Sequence, residues 1–247
     1  MAPSDASVAA ALAPTGVLRA AINLGNVVLA RSDLIEGAAG VSVDLARELG
    51  RRLGLPLELV IYRTGGEIIP GLAHDAWDVA FLAVEPERAA LATFTAPYVF
   101  IDGTYLVREE APFISVAELD APGVRIAVAE GAAYDLALTR QLRLATLVRA
   151  PTSAAAIRQF QAHGLEAAAG IRPRLVQAAA AATGLRVLPD SFSRIEQGMA
   201  LPGDRPLAAR YLWDFVEAVK ANGFVEDALA RHAQNGVAVA PPQARRD

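Results

Sequence analysis

The sequence has no cysteine, one lysine (Lys220), three histidines and no long apolar run. Without cysteine there are no disulfides, no thiolate metal sites and no thiol nucleophile, though the compartment stays open. His74, His163 and His232 lie far apart with no metal-ligand spacing, so each is expected at a surface or a helix end. Crossing a bilayer takes about 18–20 consecutive apolar residues, so membrane insertion is not expected. Positive charge is almost all arginine, which reads as compositional bias. A net charge of -4 offers no basic face to nucleic acid or to an anionic membrane. No G-x-S-x-G elbow and no metal-spaced cluster is present, so hydrolase and metalloenzyme readings have no support; without a P-loop or G-x-G-x-x-G any phosphate motif is weak, and neither cofactor nor metal is expected.

What is present fits a folded α/β chain. Of 247 residues, 53% are hydrophobic and 20% charged, enough for one large domain or two lobes with sizeable cores. The start, MAPSDASVAAALAP, has a short alanine-rich run but no basic n-region. It contains Asp5 and is too short for a signal-peptide core. Either an export signal was removed or the protein stays inside the cell, and a cytoplasmic location remains open.

Strand and helix signals alternate along the chain. Val17–Leu24 reads as a strand followed by the polar turn 23–26. Ser42 is expected to cap a helix through Leu53, with Leu45, Ala46, Leu49 and Leu53 on one face. Leu57–Tyr62 is the next strand, and a short helix at Ile68–His74 leads into a strand over Trp77–Val84. This βαβαβ pattern implies a parallel sheet with right-handed crossovers. A second unit begins near Gly123. It has strands at Arg125–Ala129, Thr146–Arg149, Glu166–Ala169 and Leu185–Leu188. Its helices are expected at Tyr134–Leu142, at Ser153–Ala162 with Ser153 as cap, and from Pro173 to Ala182. Ile101–Arg108 and Gln197–Leu201 connect the units, and Leu207–His232 is expected to be helical.

The segment Trp77–Tyr98 is the most telling. Val79–Val84 reads as a strand buried on both faces. Pro86 and Glu87 suit a helix start, whereas Arg88 in that first turn is a cation where an anion is preferred. Free backbone N–H groups and a guanidinium fork at one spot make a carboxylate clamp. Surface pairing of Arg88 with Glu85 or Glu87 is an equal alternative. In open α/β sheets ligands bind beyond the carboxyl ends of the strands. Three loops there are candidates: Asn23–Asn26 with Gly25 between its two amides, Ala83–Arg88, and Gly131–Tyr134.

Taken in order, GVLRAAINLGN, GVSVDLARELGRRLGL, AWDVAFLAVEPER and FTAPY resemble the bacterial extracellular solute-binding proteins of family 3. These are the periplasmic amino-acid receptors of ABC transporters. GVRIAVAEGAAYD, QGMALP and FVEAVKANGFVEDAL extend the resemblance over nearly all of Thr15–Pro241. It implies an α/β, two-lobed type II periplasmic-binding fold, each lobe a mainly parallel sheet flanked by helices, joined by a two-segment hinge. Lobe one is expected at 15–103 plus 199–241 and lobe two at 104–198, with an N-terminal extension at 1–14 and a tail at 242–247.

By this resemblance Arg88 binds a ligand carboxylate, and the Gly131, Ala132 and Ala133 loop with Tyr134 donates backbone N–H groups to it. Asn23, Gly25, Asn26, Leu82, Ala83, Val84, Glu85 and Ile171 complete the expected site. Three departures stand out. The loop before Arg88 is short, with Ala83 and Glu85 where hydroxyls are usual. Ile171 stands where an acid usually pairs with an α-ammonium. Asn23 and Asn26 replace an aromatic. An unpaired ammonium in a closed cleft costs several kcal/mol, so a carboxylate ligand without one becomes plausible, while Glu85 keeps an amino acid open. Arg172 and Arg174 suggest a second acidic group on the ligand.

The expectation is a monomeric, non-enzymatic, periplasmic receptor that takes a small carboxylate ligand to an ABC-transporter permease. The alternatives are a cyclohexadienyl-dehydratase-like enzyme, with Glu85 or Asp135 as its acid, and an intracellular ligand sensor.

Overall fold

A computed structural model describes residues 5–234 and 236–245. Residues 1–4 and 246–247, the outer ends of the expected extension and tail, lie outside the described residues. The chain forms two compact units. The first comprises residues up to Phe100 and from Glu196 onward, and the second comprises Ile101–Ile195.

In chain order the elements begin with α1 (Asp5–Leu12), β1 (Leu18–Asn23), β2 (Arg31–Asp33), β3 (Gly37–Ala39), α2 (Val41–Leu53) and β4 (Leu57–Tyr62). Next come β5 (Val79–Ala83), α3 (Pro86–Ala89), β6 (Ala92–Phe94) and β7 (Val99–Arg108). The middle of the chain holds β8 (Arg125–Ala129), α4 (Ala133–Gln141), β9 (Thr146–Ala150), α5 (Ser153–His163), β10 (Ala167–Ile171), α6 (Arg172–Ala180) and β11 (Leu185–Val187). The last elements are β12 (Ser193–Pro202), α7 (Pro206–Ala221), α8 (Phe224–Arg231) and β13 (Ala238–Val239).

In the first unit β1 lies between β4 and β5 and runs parallel to both. The far half of β12 adds to β5 antiparallel, with Gln197 opposite Ala83. Every residue of β5 is buried, as expected of a strand covered on both faces. Arg19 in β1 holds Asp78, just before β5, through its backbone N–H (2.9 Å) and its guanidinium (Nη2 at 2.8 Å), and Asp78 is fully buried. This pair sets the start of β5 against β1, so the ends of β1, β4 and β5 come out together. In the second unit β8 lies between β9 and β10, all parallel, and the remainder of β7 runs antiparallel to β10. Leu106, Ile157, Phe160, Leu165 and Leu175 form its core. Both units are α/β with mainly parallel strands and flanking helices.

Several local expectations are corrected. Ser42 does not cap α2: Gly40 holds the N-cap position with φ 135°, and Ser42 lies inside the helix with its hydroxyl 3.5 Å from that of Tyr98. A side chain at Gly40 would meet the Leu29 carbonyl at 2.4 Å, so close passage of the backbone decides the helix start. Thr152, not Ser153, caps α5 by accepting from the Ala155 N–H. Leu207–His232 is helical as expected, in two helices separated where Gly223 turns left-handed at φ 81°. Helix α1, the β2–β3 hairpin, β6 and β13 were not anticipated: the strands are too short to show a period, and the alanine-rich α1 has no clear apolar face. Helix α1 buries Val8 and Leu12, so part of the expected extension is packed. Lys220 is buried and donates to the carbonyls of Pro97 and Pro241, holding the C-terminal segment.

Candidate functional site

The first unit gathers its candidate groups around one glycine. Strand β1 ends at Asn23, whose Oδ1 accepts the Gly25 N–H at 2.9 Å. That bond fixes the amide, because only the oxygen can accept, and turns Nδ2 the other way. Beyond β4 the chain passes through Gly65. A Cβ built there would lie 3.0 Å from Asn23 Nδ2, 3.3 Å from Arg88 Nη2 and 3.5 Å from Leu82 Cδ2. Gly65 was not among the expected site residues, although the Gly65-Gly66 doublet after a strand is a visible signal of close backbone approach.

Arg88 is only 5% exposed, and its Nη1 donates to the Ala83 carbonyl at 3.2 Å. Burial pushes its pKa down, while Glu85 and Glu87 push it back up. Guanidinium stays charged all the same, so this is a cation held largely out of water. Glu85 is also buried, whereas Glu87 is exposed. Only the surface placement in the pairing alternative for Arg88 is corrected, since the side chain is buried while Glu85 and Glu87 stay close enough to favour its charge. The helix-dipole argument also falls, since α3 is a single turn of four residues. The N–H of Val84 goes to the Glu196 carbonyl at 2.8 Å, so that residue spends its donor on the sheet. Asn26 is 9% exposed, and its backbone carbonyl accepts the N–H groups of Leu29 and Ala30. Its buried Oδ1 has no partner among the described residues.

The second unit spends its polar groups on itself. The Gly131 N–H donates to Asp135 Oδ2 at 3.0 Å, and the Ala132 N–H goes to the Ala129 carbonyl at 3.2 Å. Two of the amides expected to face a ligand are thus turned inward. Ala133 and Tyr134 open α4, ahead of its first internal bond from Leu136 to Ala132, so the donors of that first turn are what the loop offers. The Tyr134 hydroxyl lies 2.9 Å from Ser153 Oγ, and burial pushes its pKa up to about 12. Asp135 is buried and bridges Arg149 at 3.1 Å. Ile171 closes β10 opposite Gly103 and is buried. Arg172 is not available for a ligand acid: it donates to the carbonyls of Leu188, Pro189 and Asp190 and to Ser191 Oγ. Among the described residues no helix is long and apolar enough to cross a membrane.

A family model described as bacterial extracellular solute-binding proteins, family 3, matches residues 33–235. A cyclohexadienyl dehydratase of Pseudomonas aeruginosa is 29% identical over 128 residues, 50% of this chain and 47% of that enzyme. The chain therefore spans about half the length of the curated relative it matches. A candidate binding component of an ABC transporter from Wolinella succinogenes, complexed with lysine, superposes with a TM-score of 0.76 at 25% identity. That match covers 88% of this chain and 95% of the other. An amino-acid ABC transporter substrate-binding protein from Streptococcus pneumoniae, bound to L-arginine, gives a TM-score of 0.77 at 19% identity over 94% and 99% of the two chains. These likenesses carry the expected type II periplasmic-binding fold.

Proposed function

Because this chain belongs to the bacterial extracellular solute-binding proteins of family 3, we propose that it captures a small carboxylate-bearing metabolite, an amino acid or a related organic acid, for an ABC transporter. The observation that supports this most is Arg88, a guanidinium buried beside the amide of Asn23 at the shared ends of three strands. A desolvated arginine binds a carboxylate more strongly than an exposed one, since water no longer screens the pair. The solved relatives named above carry lysine and L-arginine, which makes amino acids the first compounds to try. Closure of lobes at 15–103 plus 199–241 and at 104–198, export to the periplasm, action as a monomer and delivery to a permease belong to the same proposal.

Calorimetry against L-lysine, L-arginine, L-cysteine, their 2-oxo acids and prephenate tests it. At least one compound binds, and Arg88→Ala weakens that binding by about a hundredfold, the loss of a buried charge-assisted contact. Unchanged affinity in that variant sinks the clamp.

The dehydratase relative favours a second reading, an enzyme that eliminates water and CO2 from a prephenate-like acid. Its chemistry needs a positioned proton donor. The two candidates are Asp135, ion-paired with Arg149, and Glu85, buried in the turn of Arg88. Asp135 is engaged by the Gly131 N–H and by Arg149, so no turnover of prephenate is expected in a spectrophotometric assay. Measurable turnover, lost in Glu85→Gln, would install the enzyme instead.

A further inference from the structure

The tip of the β2–β3 hairpin carries the most exposed large apolar side chains among the described residues. Leu34 is 105% exposed and Ile35 93%, in a turn where polar residues are usual. The tip is held in place. Asp33 Oδ1 accepts the N–H groups of Ile35 and Glu36 at 3.0 Å each, and Glu36 pairs with Arg47 of α2. At the base of the hairpin Ala38 is fully buried. Arg47 also lines a groove of about 230 Å³ between α2 and α8, with Asp44, Glu48, Arg51, Phe224 and Arg231. Asp44 ties the two walls together, meeting Arg231 and His232 at 3.0 Å each. The partly buried Phe224 ring gives the groove an apolar surface, with the Arg231 guanidinium 5.7 Å from its centroid. The groove sets three arginines against two acids, and the hairpin sets Asp33 and Glu36 against Arg31. An apolar knob with surplus negative charge thus stands next to an aromatic groove with surplus positive charge. A surface that carries both halves of a fit is self-complementary, and a two-fold axis satisfies both at once.

We propose that this face pairs two copies of the chain, Leu34 and Ile35 of each entering the groove of the other. Two aliphatic side chains and one groove per copy offer less than the roughly 800 Å² per partner of a stable interface. The pairing is therefore weak, with a dissociation constant on the order of 0.1–1 mM, and dilute protein stays the monomer proposed above. Asp33 and Asp44 hold knob and groove in shape beforehand, which keeps the ordering cost low. The acids beside the tip disfavour an anionic lipid surface as its occupant.

Sedimentation equilibrium of the full-length protein from about 10 µM to about 1 mM tests the pairing. The weight-average mass is expected to lie near 25.9 kDa at the dilute end and to rise by about half or more at the concentrated end. Leu34→Ser combined with Ile35→Ser keeps the thermal midpoint, because neither side chain packs on its own fold, and raises the dissociation constant about tenfold or more. Arg51→Glu, at an exposed groove position, raises it about fivefold through repulsion from Asp33 and Glu36 of the second copy. The absence of cysteine allows a single spin label through Ser32→Cys. Mixed with 15N-labelled wild type, the labelled copy broadens the amides of residues 44–51 and of Phe224–Arg231. A monomer at 1 mM overturns the pairing. If wild type but not the double variant then co-sediments with phosphatidylcholine vesicles, the tip belongs to a lipid surface. Pairing that survives the double variant, or broadening confined to other residues, places the interface elsewhere and overturns the proposal as well. If Arg51→Glu pairs like wild type, the groove is overturned as the receiving surface.

Discussion

Arginines in the two units meet opposite fates. Arg88 has acids on either side in the sequence, Glu85 and Glu87, and surface pairing with one of them was an equal expectation. It is buried next to an amide and a glycine, with both acids close enough to favour its charge. Arg172 follows Ile171 and precedes Pro173 and Arg174, with no acid nearby, and looked available for an anionic ligand. It is tied to three backbone carbonyls and a hydroxyl of the segment 188–191. Arg149 is likewise paired with Asp135. For Arg172 and Arg149 the partners are set by the chain segments that the fold brings past them.

This contrast can be broken by substitution. The largest stability effect is expected from Asp135→Ala, which strips acceptors from the Gly131 N–H and from Arg149. A loss of about 3 kcal/mol is expected by urea unfolding, discounted from a fully buried pair because Arg149 is partly exposed. Arg172→Ala comes next, at about 2 kcal/mol, since several carbonyls lose a donor at once. Arg88→Ala is the counterpart. It should remove ligand affinity while changing the unfolding free energy by less than about 1 kcal/mol, because losing a desolvated charge offsets lost contacts. If Arg88→Ala unfolds the protein as readily as Arg172→Ala does, the contrast between a binding arginine and structural arginines disappears.

The smallest effect concerns Glu48 of α2, whose bonds to Arg51 and then to Arg52 hold its pKa at about 2 against an ordinary 4.5. A carboxyl with a lowered folded pKa stabilises above its unfolded value and loses that contribution as pH falls through the folded one. Glu48→Gln should therefore be less stable than wild type at neutral pH, by roughly 0.5–1 kcal/mol for so accessible a cluster. The difference should fade between pH 4.5 and about 2 in acid unfolding curves. A gap that persists at pH 2 would mean that packing, not charge, is responsible.

Long elements were legible because their periods repeat. β4 came out at Leu57–Tyr62 as expected, and α2 buries the face of Leu45, Ala46, Leu49 and Leu53. The β2–β3 hairpin was missed because three-residue strands have no period to detect. Its tip also carries Leu34 and Ile35 fully exposed, against the usual polar turn. Of the candidate site, Asn23, Leu82 and Arg88 do meet, but only Gly65 explains how, and Gly65 comes from a segment that no periodicity marks.

The sequence alone determined the α/β class, the order of strands and helices, the family resemblance and the arginine at the end of β5. Each of these is written in local spacing and residue type. The tertiary structure decided which polar groups are spent and which remain. Gly131 and Ala132 turn inward, Arg172 clamps its own unit, and Asn23 faces Gly65 beside Arg88. Hydrogen-bond partners are chosen by atoms brought together from distant segments, and burial makes each of those choices costly to leave unmade.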